Sequence, residues 1–163
     1  MARIELLAPQ HQRNGFDCGE PALNAFSQQQ AGQQQRRGFG KTYVALADDG
    51  MQIVGFVTVS AGQVAVAQLP GSGKLPRHPA PILRIGRLAV DTTVQGQGIG
   101  QDLLAFALRL AAEFSQRIGL YAVVVDAKHP QAAAFYQRLG FIATLDNPLT
   151  LFLPLATLER TQG

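Results

Sequence analysis

The sequence predicts a mixed α/β sheet with helices on its faces. Three observations predict it. β-rich and helix-periodic stretches follow one another in the order β-α-β-β-β-α-β-α-β-β, which suits a layered α/β domain. Apolar residues make up 47% of the chain and charged residues 15%, a composition that can bury a core. The length of 163 residues fits one domain with one core, spanning 1–163.

The elements follow in order. Ile4 to Leu7 reads as a short first strand. Pro21 opens a helix, where its missing N–H costs little. Leu23, Phe26 and Ala31 form the apolar stripe of that helix, its glutamine-rich tail is solvated, and Arg36-Arg37-Gly38 stops it. Thr42 to Ala47 and Ile53 to Ser60 are strands, with a hairpin at Asp48-Asp49-Gly50. Gly62 to Pro81, rich in proline and glycine, is expected to be a long irregular loop, of the kind that is usually functional or disordered. Ile82 to Val90 is a strand. Ile99 to Arg117 is a helix with Leu103, Leu104, Ala107, Leu110, Ala111 and Phe114 on its apolar side. Leu120 to Val125 is a continuous apolar run, the mark of a central buried strand. Pro130 opens a short helix carrying Ala133, Ala134, Tyr136 and Leu139. Phe141 to Thr144 and Thr150 to Leu153 close the sheet.

Composition narrows the function classes. The formal net charge of +3 permits an anionic partner such as CoA or RNA, and is equally that of an ordinary soluble surface. Cys18 is the one cysteine, so no intrachain disulfide forms, which suits a reducing compartment. The N-terminus lacks the apolar core of a signal peptide. The longest apolar run, Leu103 to Ala112, is too short to span a membrane and is broken by Arg109. A soluble cytoplasmic protein is expected. His11, His78 and His129 do not cluster, so no metal site is expected.

The densest signal is Val90-Asp91-Thr92-Thr93-Val94-Gln95-Gly96-Gln97-Gly98-Ile99-Gly100-Gln101. A strand enters this turn and a long helix leaves it. Such a turn exposes backbone N–H groups at a helix N-terminus, where the helix dipole adds positive potential. Glycines let an anion approach the backbone. The result is a phosphate cradle. A P-loop is excluded because no Gly-Lys-Ser/Thr follows, and a dinucleotide turn because Gln101 stands where a third glycine would. By itself the turn leaves a ligand-free reading open.

The context resembles a known superfamily. Arg87-Leu88-Ala89-Val90 followed by Gln95-x-x-Gly98-x-Gly100 resembles the acyl-CoA motif of the GNAT N-acyltransferases. Ala132-Ala133-Ala134-Phe135-Tyr136-Gln137-Arg138-Leu139-Gly140-Phe141 resembles their later Phe-Tyr, Gly-Phe signature. The resemblance implies an α/β fold with a GNAT-like mixed, mostly antiparallel twisted sheet and helices on both faces, and acetyl-CoA as co-substrate. It implies that Leu88, Ala89 and Val90 pair with pantetheine as another strand would. The amides of Gln95, Gly96, Gln97, Gly98, Ile99, Gly100 and Gln101 would hold the pyrophosphate, with Tyr136 near the sulfur as general acid. Without the motif, Tyr136 reads as a core aromatic. Thr92 stands where many relatives have proline, and His129 where many have asparagine. No carboxylate is an obvious general base, and capping or turn roles suit Asp91 and Asp126 better. Cys18 reads as an inert thiol.

A closer likeness covers Phe16 to Pro154. Phe16-x-Cys18-Gly19, Leu23-Asn24-x-Phe26, Gly55-Phe56-x-Thr58-Val59-Ser60, Gly86-Arg87-Leu88-Ala89-Val90-Asp91 and Asp126-Ala127 resemble the GNAT toxins of type II toxin–antitoxin modules. That resemblance implies a small homodimer that acetylates the α-amine of aminoacyl-tRNA and blocks translation. It also implies a ribbon-helix-helix antitoxin as partner. Asn24 departs from the aspartate that relatives often carry. An α-amine has a pKa of about 8, against about 10.4 for lysine, so it reacts without a strong base. Arg36, Arg37, Lys41, Lys74, Arg77, Arg84 and Arg87 could form a basic rim for RNA phosphates, or could be scattered solvated charges. Two other functions remain: acetylation of a small amine or peptide N-terminus, and non-catalytic acyl-CoA binding.

Overall fold

The computed structural model describes residues 2–162 apart from Ser72, Lys74 and Arg77. Its strands are β1 (Arg3–Leu6), β2 (Lys41–Leu46), β3 (Ile53–Val64), β4 (Ala80–Val90), β5 (Ala122–Asp126), β6 (Ile142–Ala143) and β7 (Thr150–Pro154). Its helices are α1 (Pro21–Ala25), α2 (Ala31–Arg36), α3 (Ile99–Ser115), α4 (Pro130–Arg138) and α5 (Leu155–Gln162). The strands form a seven-stranded sheet in the order β1-β2-β3-β4-β5-β7-β6. The β4–β5 ladder is parallel, and β1–β2, β2–β3, β5–β7 and β6–β7 are antiparallel. The mixed, mostly antiparallel expectation holds.

The chain divides into two compact units. The first comprises 2–60 and 86–107. Its core gathers Leu7, Phe16, Leu23, Phe26, Val44, Leu46, Ile53, Phe56 and Ala89. Phe56 sits between Phe16 and Phe26, with ring centroids 5.5 and 6.0 Å away. Gly55 explains how the start of α3 reaches the sheet. A Cβ there would lie 3.0 Å from Leu103, 3.1 Å from the Ala89 carbonyl and 3.2 Å from Ile99, so only glycine fits without displacement.

The second unit comprises 61–85 and 108–162. Its core joins Leu69, Ala80, Ile82, Ala122, Val124 and Phe152. Ala122 to Val125 are fully buried, as a continuous apolar run in a central strand requires.

Several boundaries move. The helix from Pro21 runs through to Arg36 and widens into a π-helical turn over Phe26–Gln30, between α1 and α2. The described residues of the 62–81 stretch carry more regular structure than the irregular loop expected. β3 runs on to Val64, a 3₁₀ turn covers Val66–Gln68, and Leu69 is fully buried with Val66 and Leu75 packed nearby. Its apolar residues, sparse among prolines and glycines, anchor it. Phe114, expected on the buried stripe of α3, is 47% exposed, because the stripe's buried part ends at Ala111. Helix α5 had no strong capping or periodic signal in the sequence.

Candidate active site

The glycine turn lies in the first unit. Asp91 leads it and is buried. Its carboxylate accepts from the Thr93 N–H (2.9 Å), the Thr93 hydroxyl (2.7 Å) and the Asp17 N–H (3.0 Å). Burial pushes the Asp91 carboxyl up, but the Thr93 hydroxyl and the two amides outweigh it and hold it below the usual carboxylate range. Asp91 is therefore the cap of the Thr92–Val94 turn and not a general base.

A second strand of contacts runs to the Phe16–Glu20 loop. The Thr92 N–H donates to the Asp17 carbonyl at 2.8 Å. Asn24 accepts from the Cys18 N–H and donates to the Asp17 carboxylate, at 2.9 and 3.0 Å. An amide at position 24 serves both contacts, where a carboxylate would face Asp17. The Gly19 N–H, then Asn24, hold the Asp17 carboxyl below its ordinary value. Burial pushes the Cys18 thiol up, away from the thiolate a nucleophile needs.

Beyond Asp91 the turn is open. Gln95, Gly96, Gln97 and Gly98 are exposed. Gly96 and Gly98 have φ of 84° and 86°, and nothing stands within 4 Å of a Cβ at either. The first α3 donor bonded back to the turn is Asp102, to the Gly98 carbonyl at 3.0 Å. The amides before it have no intrahelical acceptor, and Gly98 has no side chain to cap them. These donors, at the positive end of a 17-residue helix, fit a pyrophosphate.

The strand leading in is equally prepared. β5 pairs with β4 only over Ile82–Ile85, so 86–90 have no partner strand on that edge. The Asp91 N–H donates to the Val54 carbonyl, and the Ala89 carbonyl lies against Gly55, so both face β3. Backbone groups alternate along a strand, so Leu88 and Val90 present theirs to the open edge and Ala89 does not. Gln95 Nε2 donates to the Val90 carbonyl at 3.0 Å, leaving the Leu88 groups and the Val90 N–H. This edge fits an extended pantetheine chain.

Tyr136 lies in the second unit, on α4. His129 caps that helix, its Nδ1 accepting from the Ala132 N–H at 3.1 Å, and Pro130 follows. The Tyr136 ring is 6% exposed and packs edge-on against Phe135 and Phe141, with centroids at 5.2 and 5.7 Å. Burial pushes its phenol up to about 12. No described residue bonds its hydroxyl, and no fully buried side-chain polar atom lacks a partner among the described residues, so the oxygen reaches the surface.

The expected basic residues separate. Arg36, Arg37 and Lys41 are exposed in the first unit. Arg87 is half-buried, its guanidinium 3.9 Å from the Phe26 ring centroid. Arg84 is not free: it forms an ion pair with Asp126, which answers the question of that carboxylate's role too. Lys74 and Arg77 lie outside the described residues. Sequence reasoning passed over Asp17, and over the Gln95 side chain as a strap on the strand. Their signal was faint, since a lone Asp before Cys-Gly and a Gln in a turn have many uses. Among the described residues no group of three His, Cys, Asp or Glu could hold a metal.

Known proteins resemble this chain in sequence and in fold. A model of the acetyltransferase (GNAT) domain matches residues 38–143. The tRNA-acetylating toxin of Mycobacterium tuberculosis is 35% identical over 140 residues, covering 85% of this chain and 82% of the relative. AtaT complexed with acetyl-methionyl-tRNAfMet is 30% identical with a TM-score of 0.94, covering all of both chains. A tyrosine-to-phenylalanine variant of KacT is 34% identical with a TM-score of 0.92, covering 98% of each. Similar structures also include AtaTR with acetyl-CoA, AtaT with the C-terminus of the antitoxin AtaR, and a KacTA–DNA complex. The chain belongs to the GNAT acetyltransferase superfamily, among its tRNA-acetylating toxins.

Proposed function

We infer that this chain transfers the acetyl group of acetyl-CoA to the α-amine of aminoacyl-tRNA, and so acts as a translation-blocking toxin. The observation that carries the acetyltransferase part is the open Gln95–Gly98 turn ahead of α3, with its two left-handed glycines. The acceptor comes from the relatives, which acetylate tRNA or carry acetylated tRNA.

Acetyl-CoA supplies an activated acetyl thioester. The amides of Gln95 to Gln101 hold its pyrophosphate, and the open edge at Leu88 and Val90 aligns its pantetheine. Of the strand amides, that of Leu88 points to the open edge, toward the thioester carbonyl oxygen, and that of Ala89 faces β3. A Leu88 N–H aimed at that oxygen stabilises the charge that develops there. The Tyr136 hydroxyl serves the departing sulfur. Its high pKa keeps the proton in place at neutral pH, ready to be donated. Asp91 and Asp126 are both engaged, so neither is spare to deprotonate the amine. An α-amine with a pKa of about 8 does not require one.

Arg36, Arg37, Lys41 and Arg87 supply charge for RNA phosphates, with Arg84 weakened for that role by Asp126. The protein works in the cytoplasm as a homodimer held by a ribbon-helix-helix antitoxin. No helix among the described residues is long and apolar enough to cross a membrane. Leu139, Ile142 and Leu145 leave apolar surface at 41%, 48% and 67% exposure that an oligomer or partner could cover. The decisive assay combines purified protein, labelled acetyl-CoA and total charged tRNA. Label on the aminoacyl group is expected. Its absence, alongside brisk transfer to a polyamine or a peptide, would replace the acceptor and keep the acetyltransferase.

A further inference from the structure

The face of α2 that points to solvent contains features the acetyl-transfer site does not use. No Asp or Glu occurs from Pro21 to Ala47, while Arg36, Arg37 and Lys41 fall within that stretch. Arg13 joins them from another loop. A Cβ on Gly32 would lie 3.0 Å from Arg13 Nη1 and 3.3 Å from Arg36 Nη1, so two guanidinium groups crowd the same point. The ion pairs among the described residues involve Arg3, His11 and Arg84, and none of them neutralises Arg13 or Arg36. Two like charges this close repel unless an anion sits between them.

Phe39 follows Arg36 by three residues, just past the end of α2. α2 ends in a Schellman motif: Gly38 has φ 78°, its N–H donates to the Gln35 carbonyl, and the Phe39 N–H donates to the Gln34 carbonyl at 3.0 Å. An apolar residue at the Phe39 position of that motif ordinarily packs on the residue five earlier. Here that residue is Gln34, and Phe39 remains 73% exposed. The motif therefore fixes the backbone of an aromatic that the fold does not bury. Gln30, Gln33, Gln34, Arg37 and Phe39 line one open groove.

We propose that Arg13 and Arg36 clamp a phosphate of the bound tRNA while Phe39 stacks on one of its unpaired bases. This rests on the reading of charged tRNA as acceptor and names where the RNA is gripped. A rigid exposed aromatic that shares a groove with Arg37 and three glutamines, on the helix that carries the arginine pair and in a stretch without carboxylates, fits single-stranded RNA. An acidic protein segment would satisfy the charges but would not need a flat ring.

The test measures binding of unacylated tRNA to the full-length protein, with acetyl-CoA affinity and Tm as controls on the fold. Phe39→Ala and Phe39→Leu should each raise the tRNA Kd about tenfold, the scale of one lost base stack, and Phe39→Trp should restore it. Arg13→Gln should lower the slope of log K against log salt by about 0.7 to 0.9, one phosphate contact. Wild-type tRNA affinity in Phe39→Ala together with an unchanged salt slope in Arg13→Gln would overturn the proposal. So would a Phe39→Leu variant that binds like wild type, or one whose only change is in self-association or in affinity for an antitoxin peptide. If the wild-type protein acetylates charged tRNA and these variants bind it normally, the acceptor stands and the docking face falls.

Discussion

In the proposed site the glycine turn and the α4 tyrosine act by opposite means. At 95–98 every residue is exposed and the working groups are backbone amides. At Tyr136 the residue is 94% buried and the working group is one hydroxyl. The turn depends on conformation: what matters at Gly96 and Gly98 is a left-handed φ and the absence of a Cβ. The tyrosine depends on identity: what matters is a polar atom at the tip of a ring that Phe135 and Phe141 hold still. A site made of backbone should tolerate most side-chain changes and fail at its glycines, whereas a site made of one side chain should fail at that residue alone.

Gly98→Asp is the harshest trial of the first half. It places an L residue at φ 86° and a carboxylate where the proposed site holds the pyrophosphate. Calorimetry should show acetyl-CoA affinity falling by more than about a hundredfold, since both the lost approach and the like charge act on binding alone. Gly98→Asn accepts the same backbone without the charge and should retain part of the affinity. Equal affinity in a folded Gly98→Asp protein would remove the phosphate from this turn.

Tyr136→Phe tries the second half. The ring stays and the hydroxyl goes, so Tm and acetyl-CoA affinity should hold while kcat falls about a hundredfold or more, the usual effect of losing a general acid. Because the phenol sits at about 12, it remains protonated to beyond pH 10. The wild-type rate should rise as the substrate amine loses its proton, near pH 8, and show no alkaline fall from Tyr136 below pH 10. An unchanged rate with chemistry limiting would return Tyr136 to the core.

The same contrast explains what was legible in the sequence. Glycines in a strand–turn–helix setting are rare enough to read, and the β4-to-α3 passage was found to within a residue. Leu103, Leu104 and Ala107 kept their helical period, and Ala122 to Val125 their unbroken apolar run. Tertiary contacts were hidden. Nothing in the local pattern tells that Arg13 reaches Gly32, that Asp17 meets Asp91 across 74 positions, or that Asp126 takes Arg84 out of the basic rim. The π-helical turn at Phe26–Gln30 was equally invisible, because one extra residue per turn barely alters a glutamine-rich stripe.

Asp91 gives the finest test, because it is where the backbone site relies on a side chain after all. The carboxylate gathers the Thr93 amide, the Thr93 hydroxyl and the Asp17 amide, and so fixes the path on which the turn amides are displayed. Asp91→Asn keeps the shape, but its NH2 cannot accept and its carbonyl cannot serve all three donors. The loss should be about 1–3 kcal/mol of stability, the scale of hydrogen bonds to a charged group. Acetyl-CoA affinity should weaken only severalfold, because the turn loosens without losing its amides. The pH dependence has a definite sign. The folded carboxyl lies below its ordinary value, so its stabilisation is complete above about pH 4, the unfolded value, and fades as pH falls through the folded one. Wild type and Asp91→Asn should therefore converge in stability under acid and separate toward neutrality. Denaturation midpoints that stay parallel from neutral pH to pH 2 would show that the charge at Asp91 contributes nothing, and that the turn holds its shape by its glycines alone.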